Sequence, residues 1–154
     1  MNYQVRWDVL NSSNYGDPQN RERVILWAAK DNMVLPSIPQ PTHGENLLAK
    51  RTVRDAIGCI ESKEPTIVDT DNQSDAPVSL NGVAINNFCW NGSMNTEEYL
   101  YPDQPARTIR ALPAIHYNNK RCVTVREAAC LQSFPWDFQF FGSNRSQYQQ
   151  VGNA

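Results

Sequence analysis

The chain has 154 residues, enough for one domain or a little more, and a formal charge of −2 excludes a generally basic nucleic-acid binder. Its four cysteines form no C-x-x-C pair and neither histidine completes a metal-ligand spacing, so no structural metal is expected and a reduced compartment is the plain reading. No stretch approaches the roughly 20 apolar residues that a membrane span needs, and no signal peptide is visible.

Tyr3, Val5, Trp7 and Val9 alternate with Gln4, Arg6 and Asp8, the pattern of a strand with one buried face. Asn14 to Pro18 is turn chemistry. Gln19, Arg21 and Arg23 then take alternate positions directly before Val24–Ala29, an apolar run short enough to predict a strand covered on both faces. Prolines at 36, 39 and 41 exclude helix and central strand from the next stretch, which reads as an extended crossing segment.

Thr52-Val53-Arg54-Asp55 resembles a capping box and predicts a helix through Ile60, with Ala56, Ile57 and Ile60 inward. Residues 61–98 are rich in Asp, Asn, Ser, Thr and Gly, which predicts a loop-dominated insertion. Thr124-Val125-Arg126-Glu127 is a second capping box, predicting a helix through about Ser133 that Phe134-Pro135 ends. The shared T-V-R-[DE]-A is one capping solution used twice, not a repeat. Phe134, Trp136, Phe138, Phe140 and Phe141 suit a dense core corner. Gly152-Asn153 reads as a tight turn or a helix entry.

Charge is unevenly spread. Residues 61–103 carry eight acidic groups and one basic group, whereas residues 104–126 carry five basic groups (Arg107, Arg110, Lys120, Arg121, Arg126) and none acidic. An anionic partner would meet the second stretch.

Three blocks, in order, resemble the second half of the cytosine-C5 DNA methyltransferases. "NYGDPQNRERVILWAA" resembles the family's Q-x-R-x-R block and its following strand. "RCVTVREAACLQSFPWDFQFFGS" resembles the R-x-x-T-x-R-E block after the target-recognition region. "QYQQVGNA" resembles the start of the last block, which normally continues from G-N-A into V-P-P. Together they cover roughly 50 of the 154 residues. "TVRDAI" and "LYPDQPARTIRA" look like the family's lead-in to and exit from the recognition region, and "PQPTHGE" looks more like the eukaryotic members, the fungal type among them.

The resemblance implies an α/β fold: a partial Rossmann-like, S-adenosylmethionine-dependent methyltransferase sheet with a small, loop-rich target-recognition insertion. Residues 1–50 would supply the second half of the catalytic sheet, with strands at 3–10 and 23–29 paired antiparallel. Residues 51–115 would form the recognition region, and residues 116–154 would return to the catalytic domain. The family's P-C-Q nucleophile, E-N-V acid and glycine-rich methyl-donor loop do not occur here. Cys130 falls inside a predicted helix and Cys122 in the approach to it, so neither stands in for the nucleophile.

From the residues alone, Arg21 and Arg23 are surface arginines beside Glu22. The resemblance gives Gln19, Arg21 and Arg23 to DNA and a flipped cytosine, with Arg23 reaching its O2 and Arg21 acting on charge beside it. Arg107 and Arg110 would contact the DNA backbone. Arg121, Thr124, Arg126 and Glu127 would be scaffold, although capping alone explains Thr124 and Glu127. Asn153 would lie beside S-adenosylmethionine, or be a turn residue. The implied partners are double-stranded DNA and the N-terminal half of the same enzyme, in the nucleus of a eukaryote or the cytoplasm of a bacterium. Two rivals remain: a non-catalytic, regulatory member of the family that binds DNA or a partner methyltransferase, and an unrelated α/β binding module. The second would place Arg23 and Asn153 far apart.

Overall fold

The computed structural model describes residues 2–60, 99–112, 114–117 and 122–154. The expected loop insertion at 61–98, Cys89 and Arg121 lie outside the described residues.

Strand β1 (Tyr3–Asn11) pairs antiparallel with β2 (Glu22–Lys30), in a register running from Tyr3 opposite Lys30 to Asn11 opposite Glu22. This is the expected pair, with each strand slightly longer than its pattern indicated. A 3-10 turn over Ser12–Tyr15 joins them and closes at Gly16, whose φ of +93° suits a residue without a Cβ. Asn11 fixes the turn with one oxygen. Its Oδ1 accepts from the Ser13 amide and hydroxyl, each at 3.1 Å, and from the Arg21 amide at 3.2 Å.

The expected burial of both strands is corrected. Tyr3, Val5, Trp7 and Val9 are all at least half exposed, as are Val24 and Leu26, and of the β2 run only Ala29 is buried. Among the described residues the sheet has only these two strands, so neither face is covered by a second layer.

The core lies elsewhere. Helix α1 (Val53–Ile57), helix α2 (Val125–Leu131) and helix α3 (Asn144–Asn153) enclose Val53, Ile57, Ile60, Leu100, Ile109, Val123, Ala129, Leu131 and Val151. Both expected capping boxes form. Thr52 and Asp55 satisfy each other's amides at 2.8 and 3.2 Å, and Thr124 and Glu127 do the same at 2.8 and 3.2 Å. The α1 amides of Val53 and Arg54 donate to Gln104 and Pro102 carbonyls, which fastens the helix to the segment re-entering after residue 98. Helix α2 ends at Gln132, with Ser133 in the left-handed region (φ 58°) and Pro135 beyond it.

Two further expectations are corrected. Gly152-Asn153 is neither a turn nor a helix entry but the last turn of α3. The aromatic run is a core corner only in part: Phe134 and Phe140 are partly buried against the core. Phe134, Phe138 and Phe140 stack on one another with centroids 4.9–5.2 Å apart, while Trp136, Phe138 and Phe141 expose 56, 44 and 73% of their surface.

Candidate base-binding cleft

Gln19, Arg21 and Arg23 do share one short segment, but they are not equivalent. Gln19 is buried, and a parallel bridge pairs it with Ala106. Its side-chain Oε1 accepts from the Ile109 amide at 3.0 Å, so its amide is a strut within the protein. Flanking bonds of 2.7 Å, from the Asn20 amide to Ala106 O and from the Thr108 hydroxyl to Asn20 O, fasten the two segments together.

Arg21 is partly buried. Its Nη1 donates to Ile109 O at 3.3 Å, and its Nη2 donates to Gly152 O at 3.4 Å and to Ala154 O. Burial lowers its pKa from the usual arginine value and nearby Arg23 adds to this, while Asp17 opposes it. An arginine remains charged at neutral pH through such a shift. Arg23 is exposed at the head of β2, and its Nη1 donates to Glu22 O at 2.8 Å.

The three residues form one wall of an open cleft of about 490 Å³, and Gln132, Ser133 and Pro135 from the end of α2 form the other. Ala154 also lines it, so the base of β2 and the end of α3 meet at one place. Ser133 Oγ donates to Asp17 Oδ1 at 2.7 Å between the two walls, and Gln132 Nε2 donates to Val151 O, which ties the end of α2 to α3.

Arg107 and Arg110 are exposed beside buried Ala106 and Ile109, on the same stretch that Gln19 pins. They therefore face solvent next to the cleft. Thr124 and Glu127 are used in capping, and Glu127 Oε1 also lies 3.8 Å from Nε2 of buried His116, a neighbour that local sequence does not reveal. The Arg126 guanidinium lies 5.7 Å from the Trp136 ring centroid, an arrangement that offsets its unfavourable place at a helix start. Burial pushes the half-buried Cys130 thiol above its usual range, against the pull of Arg126, so Cys130 is a poor nucleophile. Among the described residues no three metal-ligating side chains cluster, and no helix is long and apolar enough to cross a membrane.

The family model for C-5 cytosine-specific DNA methylases matches residues 1–154. The chain belongs to that family. Among similar proteins, the Type II methyltransferase M1.HphI of Haemophilus parahaemolyticus is 33% identical over all of this chain and 45% of its own length. The Type II methyltransferase M.BbvI of Brevibacillus brevis is 30% identical over 99% of the chain and 45% of its own length. DNA (cytosine-5)-methyltransferase 4 of Arabidopsis thaliana is 24% identical over the whole chain and 16% of its own length. The chain thus spans less than half the length of these relatives. Family membership removes the unrelated-module rival, as does the cleft that Arg23 shares with the end of α3.

Proposed function

We propose that this chain is the base-holding and scaffold portion of a DNA (cytosine-5-)-methyltransferase, which transfers a methyl group from S-adenosylmethionine to C5 of a cytosine flipped out of duplex DNA. The carrying observation is the single cleft shared by Arg21, Arg23, the end of α2 and Ala154, segments far apart in sequence. A cytosine must leave the stack before its C6 can be attacked, and a flipped base needs donors fixed in advance. Arg23 has the exposure and the planar fork to hold the cytosine O2. Arg107 and Arg110 would hold the DNA backbone beside it, with Gln19 supporting from beneath. Residues 1–50 and 116–154 would join a Rossmann-like catalytic sheet, and residues 51–115 would form the recognition region. Arg121, Thr124, Arg126 and Glu127 would orient that region.

The nucleophilic thiolate and the acid are absent from this sequence and would come from another part of the enzyme. Asn153 is exposed in the last turn of α3, next to cleft-lining Ala154. One amide fits a single polar contact to S-adenosylmethionine and cannot enclose it, so most of that site would also lie elsewhere. Bound there, the cofactor would supply the methyl group.

The test uses an enzyme containing this segment and the nucleophile-bearing part. Arg23→Ala should lower methylation far more than duplex binding, because its contact exists only once the base is flipped. Loss of a charged, desolvated hydrogen bond costs about 1.5–3 kcal/mol, around ten- to a hundredfold in rate. Arg23→Lys should rescue only in part. Arg110→Ala should instead weaken binding and its salt dependence. Near-normal turnover of Arg23→Ala at saturating DNA would make Arg23 an ordinary surface arginine.

A further inference from the structure

Helix α2 ends in a complete Schellman motif. The Phe134 amide donates to Ala129 O and the Ser133 amide to Cys130 O, both at 3.0 Å, with Ser133 at φ 58°. The backbone there favours glycine, because a Cβ in the left-handed region meets the neighbouring carbonyl. This chain has serine instead, and its hydroxyl turns away from the helix to donate to Asp17 Oδ1 at 2.7 Å. Both partners of that bond are held from behind. Phe134, next to Ser133, packs against the core. Asp17 precedes buried Pro18, whose carbonyl accepts from the Ala106 amide at 2.7 Å, and the Asp17 amide donates to Ser12 O at 3.3 Å. Asp17 and Ser133 line the same cleft as Arg21 and Arg23.

We infer that Ser133 is a positioning residue, whose bond to Asp17 is a latch that fixes the spacing between the Arg23 wall and the end of α2 and holds the cleft at the width in which a flipped cytosine meets Arg23. The inference rests on the base-holding reading of Arg23 given above. A residue kept in a disfavoured backbone conformation at a ligand clamp trades stability for geometry. Ser133 is exposed, and a hydrogen bond in water adds little net stability. Glycine would relieve the backbone and remove only the tie between the walls. Reaction geometry is sensitive to such a tie, since a displacement of about 1 Å can lower a rate by about a hundredfold.

The experiment uses the enzyme carrying this segment and the nucleophile-bearing part, and measures kcat, KM for target DNA, duplex affinity and thermal midpoint. Ser133→Gly should keep or raise the thermal midpoint, keep duplex affinity, and lower kcat at saturating DNA by about tenfold, within the range such misplacement produces. Asp17→Ala should match it in rate. Asp17→Asn keeps an acceptor oxygen for the hydroxyl and should retain most of the rate. The double variant Asp17→Ala/Ser133→Gly should be no slower than either single one, as one shared contact requires. An unchanged kcat in Ser133→Gly would overturn the inference. A faster Ser133→Gly enzyme would make the bond a gate across the cleft, and the latch would be wrong. A thermal midpoint that falls in step with the rate would make Ser133 an ordinary helix end and would refute the latch as well. Additive losses, with Asp17→Asn as slow as Asp17→Ala, would give the effect to the Asp17 charge beside Arg21 and not to the latch. Arg23→Ala separates the two readings. Full activity of Ser133→Gly beside an impaired Arg23→Ala removes the latch alone, whereas near-normal turnover of Arg23→Ala removes the base cleft and the latch with it.

Discussion

At Gln19 the side-chain oxygen holds the buried Ile109 amide, so shortening that side chain leaves a donor without an acceptor. Gln19→Ala should cost about 1–3 kcal/mol through the unsatisfied amide, and Ile109 should lose its protection against hydrogen exchange while Val123 keeps its own. Equal exchange at Ile109 in both proteins would contradict the strut. The alternation of Gln19, Arg21 and Arg23 put all three on one extended segment, and all three line one cleft. It could not rank them, because what separates buried Gln19 and partly buried Arg21 from exposed Arg23 is the position of Ile109 and Gly152, residues remote in sequence. Ser133, a cleft residue missed from sequence, left one signal: it stands at the predicted helix end, where a left-handed residue is common.

Among the elements, the helix starts were the most legible, because a capping box is written within four residues. Thr124→Ala should cost about 1 kcal/mol in stability, visible as a lower thermal midpoint, and Thr124→Ser should restore most of it. At α1 the same motif carries a pH signature. Hydrogen bonds from the Thr52 amide and hydroxyl lower the Asp55 pKa, aided by Arg51 and Arg54. A depressed carboxylate stabilises the folded helix above its unfolded pKa of about 3.9, and that contribution is lost as pH falls through the lower folded value. The Thr52 amide resonance should therefore titrate with a midpoint below that of an ordinary aspartate, and a midpoint at the ordinary value would contradict the cap. Helix ends were less legible. The local Gly152-Asn153 pair looked like a turn, yet both residues continue α3.

For the whole molecule, the hairpin pairing was legible and its covering was not. Alternation in β1 and the apolar run of β2 both call for burial, yet Trp7, Val24 and Leu26 expose 64, 66 and 61% of their surface. A pattern records which residues need covering and not which chain covers them. Leaving a large apolar side chain in water forgoes about 1.5–3 kcal/mol, and several together approach the net stability of a typical domain, about 5–15 kcal/mol. The chain expressed alone should therefore aggregate or be partly unfolded, as read by light scattering and near-ultraviolet circular dichroism. A soluble monomer with one sharp thermal transition would show that the hairpin needs no cover.

The bonds that fasten α1 to residues 102–104 have a consequence for how such proteins can diversify. The Val53 and Arg54 amides, together with the Arg54–Asp103 ion pair at 2.9 Å, close the two ends of the intervening stretch into one neck. Closing a longer loop costs little more than closing a short one, about 0.6 kcal/mol for each doubling of length. The segment between Ile60 and Tyr99 can therefore be lengthened, shortened or exchanged as a cassette, and the cleft beyond the neck need not register the change. On the proposed function, new target preferences would arise there with Arg23 left alone.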